Sequence, residues 1–195
     1  MLARAAARAG AHVTAVDVSE QRVERGRLLC RQENLDVAWL VAPLTAMPVD
    51  DAAFDGVMSL FGASYAREPR VMAAQLTRVV RPGGTIAFTA WTGFMAAVLR
   101  AAAPRTAQPE RWARYETAYR HFFDFPDLDV RDAGTRWRFA DVEKAADEFS
   151  GAGGDVGRQP RVLAKLRELL LAHGDSTADG FAVEAAYALI FARRP

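Results

Sequence analysis

The sequence predicts an α/β fold in which helices cover both faces of a mostly parallel sheet. The first observation is alternation: short apolar runs and longer helical segments follow each other four times over roughly ninety residues. The second is that the runs are apolar at consecutive positions, which is typical of strands that are buried on both faces. Ligands of such sheets bind at the carboxyl ends of the strands, so candidate site residues are sought there.

The first half of the pattern begins with an alanine-rich helix that Gly10 ends. The stretch "AHVTAVDV" is a buried strand, and Ser19 caps the helix "SEQRVERGRLLCRQEN". The strand "DVAWLVA" is ended by Pro43. The strand "FDGVMSLFG" follows, then the helix "EPRVMAAQLTRVV", a tight turn "RPGG" and the strand "TIAFTAW".

The pattern changes after Trp91. A short helix, the linker "PRTAQP" and the aromatic-rich helix "ERWARYETAYRHFF" form an inserted region. An alternating strand, "DLDVRDAGTRWRF", two further helices and the apolar strand "FAVEAAYALIFARR" end the chain, and an antiparallel terminal pair is expected. We therefore predict one domain over residues 1–195, with a cofactor-binding core at 1–92, an inserted helical acceptor or lid region at 93–126 and a sheet-completing part at 127–195.

Composition restricts the kind of protein. The 195 residues are 51% hydrophobic and 25% charged, as in soluble globular domains, and the net charge of +1 argues against nucleic-acid binding. Cys30 is the single cysteine, so an internal disulfide is excluded, and we interpret it as a core residue. No apolar run reaches the roughly 18 residues of a membrane span, and no leader is recognised. A cytoplasmic protein without a membrane partner is expected.

The order of these motifs resembles the class I S-adenosylmethionine-dependent methyltransferases, of the small-molecule type related to quinone biosynthesis. Three passages carry the resemblance: "VTAVDVSEQ", "PLTAMPVDDAAFDGVMSLFGASY" and "LTRVVRPGGTIAFTAW". It implies a Rossmann-like sheet with an antiparallel C-terminal strand, and S-adenosylmethionine as the cofactor. It also implies that Asp17 binds the ribose hydroxyls, because each carboxylate oxygen accepts a hydrogen bond from one of them. The alternative is that Asp17 only caps the following helix.

Two departures from the family bear on cofactor binding. The family opens with a central strand and an acid-x-Gly-x-Gly-x loop, whereas "MLARAAARAG" resembles the helix that follows this loop, so the first strand is expected to be absent. Its two neighbouring strands would then pair directly, admit another chain or leave a poorly stable protein. Pro43 stands where the family often has an acid that accepts from the adenine amino group, and proline has no such acceptor. Weakened cofactor binding is expected.

The resemblance implies further site residues at the carboxyl ends of the strands. In addition to Asp17, the residues expected to bind the cofactor are Val18, Leu44, Thr45, Phe61 and Gly62. A plain strand-to-helix turn would also explain Phe61 and Gly62.

Residues that bind the acceptor are expected among the aromatic side chains. The candidates are Tyr65, Trp91, Tyr115 and Tyr119, although an aromatic stripe at helical spacing is more often part of a core. His121 is a candidate general base, although a lone histidine is more often a surface or core residue. His12 and His173 lack partners at ligand spacing, so no metal site is predicted.

The first hypothesis is methyl transfer from S-adenosylmethionine to a small organic acceptor. The second is a non-catalytic or truncated methyltransferase-like protein that serves as a scaffold or partner subunit. The third is a dinucleotide-binding oxidoreductase, since an acid after the second strand also binds NAD ribose. The expected partner is the small-molecule acceptor, and neither a nucleic acid nor a membrane is expected. A homodimer is compatible with all three hypotheses.

Overall fold

The structure, a computed structural model, describes residues 2–63, 66, 68–102, 128–150 and 159–195. Its helices are α1 (Leu2–Arg8), α2 (Glu20–Gln32), α3 (Pro69–Val79), α4 (Gly93–Ala102), α5 (Val142–Ser150) and α6 (Pro160–His173). Its strands are β1 (Val13–Asp17), β2 (Val37–Val41), β3 (Phe54–Ser59), β4 (Val80–Trp91), β5 (Leu128–Phe139), β6 (Gly174–Thr177) and β7 (Gly180–Arg193). Within these ranges no helix is long and apolar enough to cross a membrane.

The strands form two sheets. β1 and β2 pair in parallel, with Val13 opposite Val37 and Asp17 opposite Val41. The second sheet has the order β3-β4-β7-β5, in which β3 and β4 are parallel and β6 pairs antiparallel with β7. The predicted α/β fold with an antiparallel C-terminal strand is confirmed. In the described part of the chain β1 does not pair with β3, so the direct pairing considered above is not what the protein adopts.

Contacts divide the chain into two compact units. The first contains the described residues up to Phe88, together with Leu128 and Phe191–Pro195. Its core includes Val23 and Cys30 of α2, and the burial of Cys30 confirms the interpretation of this residue. The second unit contains the described residues of 89–121 and 129–190, and its core lies among α4, α5 and α6 with residues of β7.

Local sequence explains the boundaries of the first elements. Gly10 has a φ of 87°, a left-handed conformation that glycine adopts without strain, and it follows the end of α1. The Ser19 Oγ accepts a hydrogen bond from the Arg22 amide at 3.4 Å, as expected of an N-cap. Gly26 of α2 leaves room for the indole ring of Trp39 on β2, because a Cβ at this position would overlap that ring.

The stretch "RPGG" differs from its prediction as a tight turn. It lies within β4, where the register with β3 shifts: Phe54 is opposite Val80, but Gly56 is opposite Thr85. The residues of β4 within this register shift are bonded to the C-terminal part of the chain. The Gly83 amide donates to the Arg194 carbonyl at 2.8 Å, and the Arg194 amide donates to the Gly84 carbonyl at 2.9 Å. The four residues therefore form an irregular strand segment that a distant part of the chain stabilises.

Arg194, in the basic C-terminal stretch "ARRP", is half-buried. Its guanidinium donates to the carbonyl of Val80, at the start of β4, and to that of Arg78 at 3.4 Å. The adjacent Arg193 is exposed. Arg194 thus links the end of β7 to the junction of α3 and β4.

Candidate cofactor site at the carboxyl ends of β1 and β2

Asp17 is the last residue of β1, and its side chain is 33% exposed. Its Oδ1 accepts a hydrogen bond from the Ser19 amide at 2.9 Å, and the Arg22 Nε lies 3.6 Å from the same oxygen. Both expected roles of Asp17 are therefore compatible with one geometry. One carboxylate oxygen supports the start of α2, while Oδ2 makes no hydrogen bond to any described residue and is able to accept from a hydroxyl.

The loop after β2 begins directly beside Asp17. The Ala42 amide donates to the Asp17 carbonyl at 3.1 Å, which places Pro43, Leu44 and Thr45 next to the end of β1. Leu44 and Thr45 are half-buried, whereas Pro43 is exposed. The loop that contains Leu44 and Thr45 therefore starts at the same sheet edge as Asp17 and Val18.

Apolar surface accompanies this polar group. Val18 is 68% exposed and Val41 is 49% exposed, both at strand ends. Exposed aliphatic side chains beside a carboxylate and a backbone turn are suited to a ligand with a flat apolar part and vicinal hydroxyls.

Arg78 of α3 fixes the second half of the same loop. Its Nη2 donates to the Met47 carbonyl at 2.9 Å, and its Nη1 donates to the Val49 carbonyl and to Asp51 Oδ1, both at 2.7 Å. The Ala52 amide in turn donates to the Arg78 carbonyl at 2.8 Å. Sequence reasoning missed this residue, because nothing local to "LTRVV" indicates which carbonyls an arginine will reach.

The loop after β3 contains Phe61 and Gly62. Phe61 has a φ of 62°, which is unusual for a residue with a side chain and occurs often at functional sites. The Ser59 Oγ accepts from the Ala63 amide at 2.9 Å and closes the loop around it. A Cβ on Gly62 would lie 3.1 Å from that same oxygen, which is a tight contact.

Trp91, the predicted acceptor residue at the end of β4, lies in the second unit. Its ring meets the ring of Trp137 edge-on at 5.5 Å and the ring of Tyr187 at 5.9 Å. Trp137 also stacks on Phe149 at 5.3 Å. Trp137 and Tyr187 were not predicted as site residues. The alternation of side chains along β5 and β7 indicates on which face of the sheet each ring lies, but not which other rings it contacts.

Four predicted acceptor or catalytic residues lie outside the described residues: Tyr65, Tyr115, Tyr119 and His121. Their roles stay predictions. Over the ranges that the structure covers, no group of three His, Cys, Asp or Glu side chains could hold a metal ion.

Comparison with known proteins gives these features a family context. A family described as "Methyltransferase domain" matches residues 1–88. An uncharacterized protein of Mycobacterium tuberculosis is 36% identical over 174 residues, which cover 84% of this chain and 64% of that protein. A demethylmenaquinone methyltransferase of Clavibacter sepedonicus is 42% identical over 82 residues, which cover 42% of this chain and 33% of that protein.

The fold comparison agrees with the sequence comparison. A crystal structure of a putative methyltransferase from Bacillus halodurans has a TM-score of 0.64 and 13% identity, covering 95% of this chain and 84% of that one. At this identity the similarity shows the fold alone. The chain spans between a third and two thirds of the length of the two sequence relatives, at 33% and 64%.

Proposed function

We propose that this chain, whose residues 1–88 match the methyltransferase domain family, is a class I S-adenosylmethionine-dependent methyltransferase that binds S-adenosylmethionine and transfers its methyl group to a small organic acceptor. The observation that carries the proposal is the juxtaposition of Asp17 with the loop after β2. The hydrogen bond from the Ala42 amide to the Asp17 carbonyl brings a carboxylate and half-buried Leu44 and Thr45 to one strand edge.

The residues of this edge fit the adenosine part of the cofactor. Asp17 would accept from the ribose hydroxyls through Oδ2, to which no described residue donates, while Oδ1 is shared with the Ser19 amide. Val18, Leu44 and Thr45 would contact the adenine ring. Phe61 and Gly62 would lie near the methyl-bearing end of the cofactor, in the loop where the backbone of Phe61 is left-handed.

Pro43 lowers the expected affinity. The adenine amino group is a donor, and the side chain of proline cannot accept from it. We therefore propose that this chain binds the cofactor more weakly than a relative with an acid at this position.

The chemistry requires little from the protein beyond positioning. When bound, the cofactor supplies a methyl group that its sulfonium already activates. The side chains orient the acceptor for in-line attack and exclude water, and together these effects lower the barrier. A general base is needed only for an acceptor that is poorly ionised, and for that case we propose His121, with Trp91, Tyr65, Tyr115 and Tyr119 as acceptor contacts. We place the reaction in the cytoplasm.

Calorimetric titration with S-adenosylhomocysteine tests the proposal. Binding at one site per chain is the expected result. A chimera with a strand and an acid-x-Gly-x-Gly loop grafted before Leu2 provides the comparison. If only the chimera binds, this chain alone is not a cofactor-binding enzyme, and the scaffold or partner-subunit hypothesis gains support. If neither binds but NADH does, the oxidoreductase hypothesis replaces the proposal.

A further inference from the structure

Arg78, in the last turn of α3, uses its guanidinium to bind several acceptors at once. Its guanidinium donates to acceptors at three alternate positions of one loop, the carbonyls of Met47 and Val49 and the carboxylate of Asp51. The remaining donors reach Gln75 Oε1, at 3.1 Å from Nη2 and 3.3 Å from Nε. The arginine side chain is 27% exposed, so these bonds are partly shielded from water.

The loop that Arg78 holds is the one that contains Leu44 and Thr45. Its start is fixed by the bond between the Ala42 amide and the Asp17 carbonyl, and Met47 is 7% exposed. Thr45 lies two residues before the first carbonyl that Arg78 binds. The segment is therefore tied at both ends, to β1 and to α3.

We propose that Arg78 is a positioning residue that holds Leu44 and Thr45 against the adenine ring of the bound cofactor. The inference rests on the proposed function. Arginine is suited to the task because its planar fork reaches several acceptors in fixed directions, whereas lysine offers one ammonium on a flexible stem. Loss of the fork would leave two loop carbonyls without their donor and release the end of the loop.

The test compares S-adenosylhomocysteine with S-inosylhomocysteine, which differs only in the base. The ratio of their dissociation constants reports contact with the base, and a partly unfolded protein lowers both affinities equally without changing the ratio. In the wild type we expect a ratio of about ten, because the hydroxyl of Thr45, in the segment that Arg78 holds, would accept one hydrogen bond from the adenine amino group, which Pro43 cannot do. In Arg78→Ala we expect a ratio close to one, with Arg78→Lys between the two.

Arg81→Ala is the matched control. Arg81 lies three residues further along, and its side chain is 55% exposed and pairs with Asp55 at 2.7 Å. Its ratio should equal that of the wild type. A wild-type ratio near one, or an unchanged ratio in Arg78→Ala, would overturn this inference and leave the proposed function intact. If the wild-type chain binds neither ligand, both proposals fail.

Discussion

Asp17 has a structural and a proposed binding role that one substitution separates. In Asp17→Asn the amide oxygen still accepts from the Ser19 amide, so the start of α2 should be retained. The negative charge is lost, and hydrogen bonds to charged acceptors are about twice as strong as neutral ones. We expect affinity for S-adenosylhomocysteine to fall by about tenfold or more, measured by calorimetry. Asp50→Asn, at an exposed carboxylate, should bind like the wild type; equal affinity of Asp17→Asn would refute the ribose role.

Substitution of Pro43 is expected to raise the affinity for the ligand, whereas substitution of Asp17 lowers it. Pro43→Asp provides a carboxylate acceptor where the family often has one, and affinity for S-adenosylhomocysteine should rise by about fivefold to tenfold. Pro48→Asp places the same charge at another exposed proline of the loop and serves as the control. A rise in both variants would indicate a general effect of charge instead of a contact with the adenine amino group.

Single residues also mark the limit of what the sequence could predict. Asp17, Leu44 and Thr45 could be proposed as site residues, because the resemblance to the methyltransferases places them at strand ends. Arg78, Trp137 and Tyr187 could not, since their contacts are with partners far along the chain. The contacts of Arg194 could not be predicted for the same reason: its acceptors, the carbonyls of Arg78 and Val80, precede it by more than a hundred residues.

Between elements, the contact of α2 with β2 depends on Gly26. Alanine at this position would favour the helix by about 1 kcal/mol, but its Cβ would overlap the ring of Trp39. We expect Gly26→Ala to lower the free energy of unfolding by about 1–3 kcal/mol, measured by urea denaturation. In a Trp39→Leu background the same change should become stabilising. Stabilisation by Gly26→Ala alone would show that the ring moves aside without cost.

The junction of α3, β4 and the end of β7 depends on Arg194. Removing its guanidinium leaves the carbonyl of Val80 without this donor, so Arg194→Ala should lower the free energy of unfolding by about 1–3 kcal/mol. Arg193→Ala, at an exposed neighbour, should change it by less than about 0.5 kcal/mol. Equal effects of the two substitutions in thermal denaturation would contradict the link.

Glu33 joins α1 to the end of α2 through ion pairs with Arg4 and Arg8, the second at 2.6 Å. Burial raises the pKa of Glu33, but the hydrogen bonds and charges of the two arginines outweigh this and lower the pKa below its ordinary 4.5. A lowered folded-state pKa contributes stability above the ordinary value, and this contribution is lost as pH falls through the lowered one.

The corresponding experiment is urea denaturation of the wild type and Glu33→Gln between pH 7 and pH 3. The wild type should be the more stable protein near neutrality, and the difference should disappear in the acidic part of the range. Glu24→Gln, at the exposed partner of Arg27, is the control. A difference that does not depend on pH would contradict the role of the ion pairs.

On the scale of the whole molecule, the alternation of strands and helices was sufficient to predict the fold class, because period and apolar character are local properties. The arrangement of the strands was not predictable in the same way. β1 with β2 and β3 with β4 belong to separate sheets, and the irregular "RPGG" segment is bonded by Arg194, the residue after β7. Strand pairing depends on long-range contacts, which a single sequence does not reveal.

The central claim is that an adenosyl cofactor binds where β1 and β2 end. Hydrogen exchange with and without S-adenosylhomocysteine tests it most directly, since the amides of Val18 and Leu44 lie at that edge. Cofactor binding at this edge should slow exchange in the segments 16–19 and 42–46, and Asp17→Asn should require about ten times more ligand for the same slowing. Unchanged exchange in both segments at a saturating concentration of the ligand would contradict the claim.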